Sequence, residues 1–382
     1  MRLRRAFVIV AALPTGLAGY AAWSAVPEQR PVLPLAWTTL ARASITADPK
    51  RRELVLELPP VDLPAGAGHH VLQPPACLGE FPVTASIYAF HAELRDQDGR
   101  LLPADLLHHL NVMDPTEREL FLPIARRILA SGRETGEIRF PWLLFGARVR
   151  AGERIIANAM LHNPTPVSYR GVRVRLVLSY IPDGRLWPFF SVFPWQLDVA
   201  FPVGDKSFDL PPGHSERSYE GSPSVDGKIV VIGGHMHEYG RTIEFWDATL
   251  GKLLWHGEPA PAPRGEPSPV PLGRFYGLSG IGLPIMASHR YRVRVIYENP
   301  TGHTIAAGGM GVVGGLFIPR RGAVWPSAEP SNSLYQQDVR HFMGLTGGGM
   351  SGMEGMHGMG GIGGMGGMGG MDSHAHDHGS TP

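Results

Sequence analysis

Residues Val172-Arg173-Val174-Arg175-Leu176-Val177-Leu178-Ser179-Tyr180 set Val and Leu against Arg and Ser. A period of two sends alternate side chains to opposite faces of a strand, which no helical stripe can do. Comparable runs occupy 52–58, 84–94, 153–161, 196–201, 215–219, 228–232, 241–246, 252–256 and 290–297. Between them lie turn residues drawn from 49 Gly and 36 Pro, while long Ala/Leu/Glu/Lys tracts are missing. Many short strands punctuated by turns specify an all-β protein of sandwich type. Short helices are expected only at 117–130 and at 331–342, the second with serine near its start.

A chain of 382 residues with 43% hydrophobic content can bury two cores. Two segments echo each other. Both 155–165 and 293–301 run from a strand into Asn-Pro-Thr. Asn-Pro starts turns, and the echo fits two tandem jelly-roll-like β-sandwiches, 26–185 and 186–330, followed by a short helix at 331–344. Between them, 187–195 holds Trp187, Phe189, Phe190, Phe193 and Trp195. Pro188 and Pro194 exclude a membrane helix there. The stretch reads as a hydrophobic plug between domains rather than a substrate-facing or membrane-facing patch.

The ends differ from the middle. Residues 1–25 open with Arg2, Arg4 and Arg5 before an apolar run and read as an export signal. If uncleaved, the segment would anchor the chain to a membrane, with Tyr20 and Trp23 at the interface. Either way the bulk of the chain is expected outside the cytoplasm. Cys77 is the single cysteine, so no intramolecular disulfide can form, and it reads as a buried small hydrophobe. A formal charge of +1 gives no reason to expect nucleic acid. Residues 345–382 cannot bury a core and are expected to be disordered. There Met350, Met353, Met356, Met359, Met365, Met368 and Met371 follow a three-residue period, Ile362 filling the missing slot. His357, His374, His376 and His378 accompany them. Thioethers suit Cu(I) and imidazoles suit both copper states, so the tail reads as a copper-capture segment.

Within the body, His235-Met236-His237 follows the β-branched run 228–232. Strand alternation points both imidazoles the same way, their Cβ atoms roughly 6.5 Å apart at a rise of ~3.3 Å per residue. One ion can be gripped by such a pair. Met236 then points away. Flanking glycines are expected to give the backbone and rings room. His108 and His109 are adjacent, so both can reach one ion only if the strand bulges or ends there. His162 ends a later strand, and Met310 sits in a Gly-rich run after His303. His69-His70 lies in a Gly/Pro loop. Lack of cysteine excludes a structural zinc knuckle, and neither a phosphate loop nor a Gly-x-Ser-x-Gly elbow is present.

The ordered set His108-His109, His162, His235-x-His237 and Met310 resembles the copper type II, ascorbate-dependent monooxygenases, which include peptidylglycine α-hydroxylating monooxygenase and dopamine β-monooxygenase. The likeness covers roughly residues 80–320. It implies two tandem β-sandwiches with one mononuclear copper each. His108, His109 and His162 would hold the electron-storing copper, and His235, His237 and Met310 the copper where O2 reacts. An organic C–H bond would be hydroxylated with electrons from a small reductant such as ascorbate. The family's Met lies in a Glu-Met-Cys context, whereas Met310 lies between Gly309 and Gly311, and the family's disulfides are absent. The arginine that reads a peptide carboxylate two residues before the HxH pair is Gly233 here, which speaks against peptide amidation. A non-catalytic copper-handling protein on the same fold stands as the alternative, and a structural exported β-sandwich with incidental histidines as a third.

Overall fold

The computed structural model describes residues 40–66, 71–132, 136–200, 206–259, 268–278 and 280–343. The expected export segment, His69-His70 and the Met/His-rich tail lie outside them. The chain is all-β, with several sheets stacked in jelly-roll-like sandwiches.

Two sheets form from the N-terminal half. One runs Ala41–Arg42, Cys77–Glu80, Arg154–His162, Leu107–Arg118, Ala125–Gly132. The other runs Phe190–Ser191, Phe145–Val149, Ala85–Arg95, Tyr169–Pro182, Glu53–Glu57, Ser44–Asp48. The alternating strand behaves as its pattern dictates. Val172, Val174, Leu176 and Leu178 enter the core between the sheets. On the opposite face Arg175 reaches Glu93 at 2.6 Å and Glu57 at 3.2 Å.

The C-terminal half repeats the scheme. A sheet built on Phe193–Asp198, Gly311–Pro319 and Gly227–Met236 faces the four strands Gly213–Gly221, Tyr291–Asn299, Gly240–Asp247 and Lys252–Gly257. The Asn-Pro-Thr echo is a structural repeat. Asn163 donates to the carbonyls of Leu63, Pro64 and Val167, and its Oδ1 accepts from Thr165 N and Oγ1. Asn299 donates to Leu210, Pro211 and His303, and accepts from Thr301 in the same way. The match extends to a partner segment, Asp62-Leu63-Pro64 against Asp209-Leu210-Pro211. Asp62 Oδ1 takes the N–H of Gly171 (φ 58°), and Asp209 Oδ1 that of Ala307 (φ 51°). Each Asp thereby holds a left-handed residue where a strand bends.

Residues 117–130 are not a helix. The strand Leu107–Arg118 continues to 118, a loop follows, and Ala125–Gly132 pairs back on it. Pro123 interrupts the helical hydrogen-bond series. The loop also has apolar work to do, since Leu120, Phe121, Leu122 and Ile124 insert into the second core beside Trp195 and Phe245. Burying a Phe side chain there contributes roughly 1.5–3 kcal/mol, more than a strained turn of helix would return. The buried Glu119 carboxylate accepts from Leu120 N, Arg127 N and Gln196 N, tying this loop to the C-terminal half. The plug expected at 187–195 divides. Trp195 is buried in the second core, and Phe193 stacks on Trp325 at 4.7 Å. Trp187 and Phe189 remain at the surface, Trp187 edge-on to Trp142.

The terminal helix is Ser333–Phe342, capped by Asn332, whose side chain accepts from Leu334 N and Tyr335 N. It packs on the outer face of the first sheet. Asp338 takes a two-pronged ion pair from Arg127, and Tyr335 Oη donates to Pro115 O at 2.6 Å. Phe342 O accepts from Asn158 Nδ2 at 2.8 Å. Cys77 is a buried free thiol, which burial pushes upward in pKa.

Candidate metal centres

The strand Leu107–Arg118 carries a bulge at the histidine pair. His109 lies opposite Met160 and Leu107 opposite Leu161, so His108 is the extra residue. The bulge turns two adjacent side chains toward one side, and the His108 and His109 rings lie 4.3 Å apart between centroids. Sidedness follows from the neighbours. Leu107, Leu110, Ala159 and Leu161 point into the first core. Asn111, Asn158 and Ile156 point the other way, toward the terminal helix. By alternation His109, Met160 and His162 share that outer face. His109 is 6% exposed, and Met160 is 2% exposed.

The second set starts on the strand Gly227–Met236. Met236 is buried in the second core, as alternation requires. His235 and His237 take the opposite face with ring centroids 5.7 Å apart. Strand Gly311–Pro319 runs alongside, with Met236 opposite Gly311 and His235 opposite Val312. One step further, the register brings Met310 opposite His237. A single hydroxyl joins them. Tyr297 Oη accepts from His237 N and from Met310 N, each at 3.0 Å, and donates to Met310 O in a short bond. Burial pushes the Tyr297 phenol up to about 12, so it stays a neutral donor at ordinary pH. Met310 is fully buried.

The chain turns directly after the HxH pair, where Gly240 N donates to His237 O at 3.2 Å. The positive φ after the HxH pair belongs to Tyr239 (69°) rather than to a glycine. A Cβ at Gly240 would lie 2.7 Å from Met236 Cε, 3.0 Å from Met236 Cβ and 3.2 Å from His237 O, so the turn is tightly packed there. At Gly311 a Cβ would meet Val295 at 2.3 Å, which lets the strand after Met310 lie close to its neighbour.

The rings within each imidazole pair thus lie together, and the Met310 backbone is tied to that of His237 through Tyr297. Among the described residues no three His, Cys, Asp or Glu side chains converge into a ready-made metal cluster. His162 shares the face and sheet end of His108 and His109 but is not gathered with them into a three-imidazole set. Sequence reasoning missed Met160 and Tyr297. Met160 sits two residues before His162 in the same strand, so alternation alone marks its face. Tyr297 carries no such mark, because its role depends on tertiary contacts.

Two cavities lie elsewhere. One, inside the first sandwich, is apolar apart from Arg126, Arg148 and Glu153; the other is a cleft that includes Lys228, Met286 and Arg320. Burial and the neighbouring Asp114 raise Glu153 to about 7. Its partner Arg126 is held by Asp114 at 3.2 Å and Glu117 at 3.1 Å, and lies over the Phe193 ring.

No family model and no curated protein matches the chain. Among solved structures it is similar to the major capsid protein P2 of bacteriophage PM2, at 12% identity and a TM-score of 0.34, covering 69% of this chain and 99% of that one. It is also similar to peptide:N-glycanase F (PNGase F), at 10% identity and a TM-score of 0.36, covering 72% and 98%.

Proposed function

We propose that the chain is an exported, copper-dependent protein of monooxygenase type, with His235, His237 and Met310 holding one ion and His108, His109 and His162 another. The observation that carries this reading is the Tyr297 hydroxyl, which binds the backbone of both His237 and Met310. The Met310 backbone is thereby tied to that of His237, which supports a mixed soft and borderline donor set of two imidazoles and a thioether, suited to copper. Copper bound there would supply redox chemistry for inserting one oxygen atom of O2 into an organic C–H bond. The other oxygen leaves as water, with two electrons and two protons coming from a reductant such as ascorbate. The protein's part is to fix the donors, hold the Met310 backbone rigid and keep water from the thioether. Gly233, where the peptide-amidating enzymes of the family it resembles have a carboxylate-reading arginine, favours a substrate other than a peptide terminus.

A second reading has its own observation. His162 is not gathered with His108 and His109, and the tail is rich in copper donors. Both features fit a copper-handling protein on the same fold that binds and passes on the ion without turnover.

Oxygen uptake separates the two. Copper-loaded full-length protein with ascorbate should consume O2 above a free-copper control, faster with an oxidisable C–H substrate, and His237→Ala should abolish the excess. Uptake equal to the control across a broad substrate panel, with copper firmly bound, would assign the handling role instead.

A further inference from the structure

Met160 is the cross-strand partner of His109. Directly opposed residues in an antiparallel pair have Cβ atoms about 5 Å apart on the same face. Met160 also precedes His162 by two residues in one strand, so both sit on that face, about 6.6 Å apart along it. The bulge adds His108 to the same side, 4.3 Å from the His109 ring. The arrangement parallels the other centre, where Met310 falls opposite His237 one step past the Met236–Gly311 pair. Each histidine pair therefore has a buried methionine across the neighbouring strand from its second histidine. The two methionines occupy different positions in the Asn-Pro-Thr repeat, so this likeness does not follow from the duplication alone.

We propose that Met160 supplies a thioether donor beside the His108-His109 pair, making this centre a Cu(I)-accepting site rather than a purely imidazole one. The inference rests on the copper reading above and deepens it. Asn158, two residues from Met160, donates to Phe342 O at 2.8 Å, so the end of the terminal helix lies on this same face.

The test uses X-ray absorption on chains ending at Gly344 and carrying His235→Ala and His237→Ala, which leave only this centre and remove the tail's sulfur. All described residues precede that end. With one Cu(I) bound, a copper–sulfur shell should be present and should vanish in Met160→Leu, a volume-conserving change that the buried site tolerates. In the same shortened His235→Ala, His237→Ala chain, competition with a Cu(I) chelator should show Met160→Leu weakening Cu(I) binding by about tenfold or more, at least what an outer partner of a metal ligand is worth. Cu(II) affinity should change far less. Copper bound with nitrogen donors only, or a sulfur shell that survives Met160→Leu, would overturn the proposal while leaving the copper reading intact. No copper bound would overturn both.

Discussion

Replacing Tyr297 by Phe removes one oxygen and keeps the ring. The ring is fully buried in the second core and packs edge-on to Phe208 at 5.8 Å, so no cavity term enters. What is lost is the acceptor for two backbone N–H groups, His237 and Met310, and the donor to Met310 O. A buried donor left unpaired costs about 1–3 kcal/mol, against about 1 kcal/mol for an ordinary exchanged hydrogen bond. With two donors stranded and some relaxation of the backbone around Met310, the expected loss is about 2–4 kcal/mol. The same substitution lets the Met310 backbone drift from His237. Copper affinity at that centre should then fall about 10-fold to 100-fold, as for other groups that orient a ligand, while the His108-His109 centre keeps its affinity. Urea unfolding of the metal-free protein gives the first number, and chelator competition in chains ending at Gly344 gives the second, with His108→Ala, His109→Ala reading this centre and His235→Ala, His237→Ala reading the other. A stability loss below about 0.5 kcal/mol, or equal weakening at both centres, would refute the role assigned to this hydroxyl.

Other outcomes follow from the same contacts. Glu153 is raised to about 7, chiefly by burial. The folded state thus binds its proton more tightly than the unfolded chain, and the associated stability is present at low pH and lost between about pH 4.5 and 7, so Glu153→Gln should gain on the parent by up to about 3 kcal/mol as pH rises through that window in urea titrations. Asn163→Ala and Asn299→Ala each remove the same hydrogen-bond set, and their unfolding costs should be about 3 kcal/mol and agree within about 1 kcal/mol; a large disparity would show that the two corners are not energetic equivalents. Asp338→Ala strands the buried Arg127 guanidinium and should cost about 3–5 kcal/mol, with hydrogen exchange of the terminal helix rising before that of the sheets.

The fold was legible in the sequence where local pattern and burial agree. Val172 to Leu178 alternate, and the structure buries the apolar set and pairs the arginines. The strand before His235 and the inward turn of Met236 were readable for the same reason. Residues 117–130 were not, because their apolar residues serve a core made by the other half of the chain, and no local period records that. The Asn-Pro-Thr echo was visible, but Asp62 and Asp209 lie far from it in sequence and join it only through tertiary hydrogen bonds. At the centres, the bulge at His108 could be stated as a condition and then found. The Tyr297 link could not be, since a tyrosine in an alternating strand looks like any other core residue until its hydroxyl meets a partner.

Metal content is the sharpest test of the proposal that the folded body holds two separate copper centres. A chain ending at Gly344, loaded with Cu(I) under reductant and freed of excess, should retain two coppers. His235→Ala with His237→Ala should retain one, and so should His108→Ala with His109→Ala. Retention of none in the parent, or loss of both coppers in either double variant with the fold intact, would rule out two independent centres.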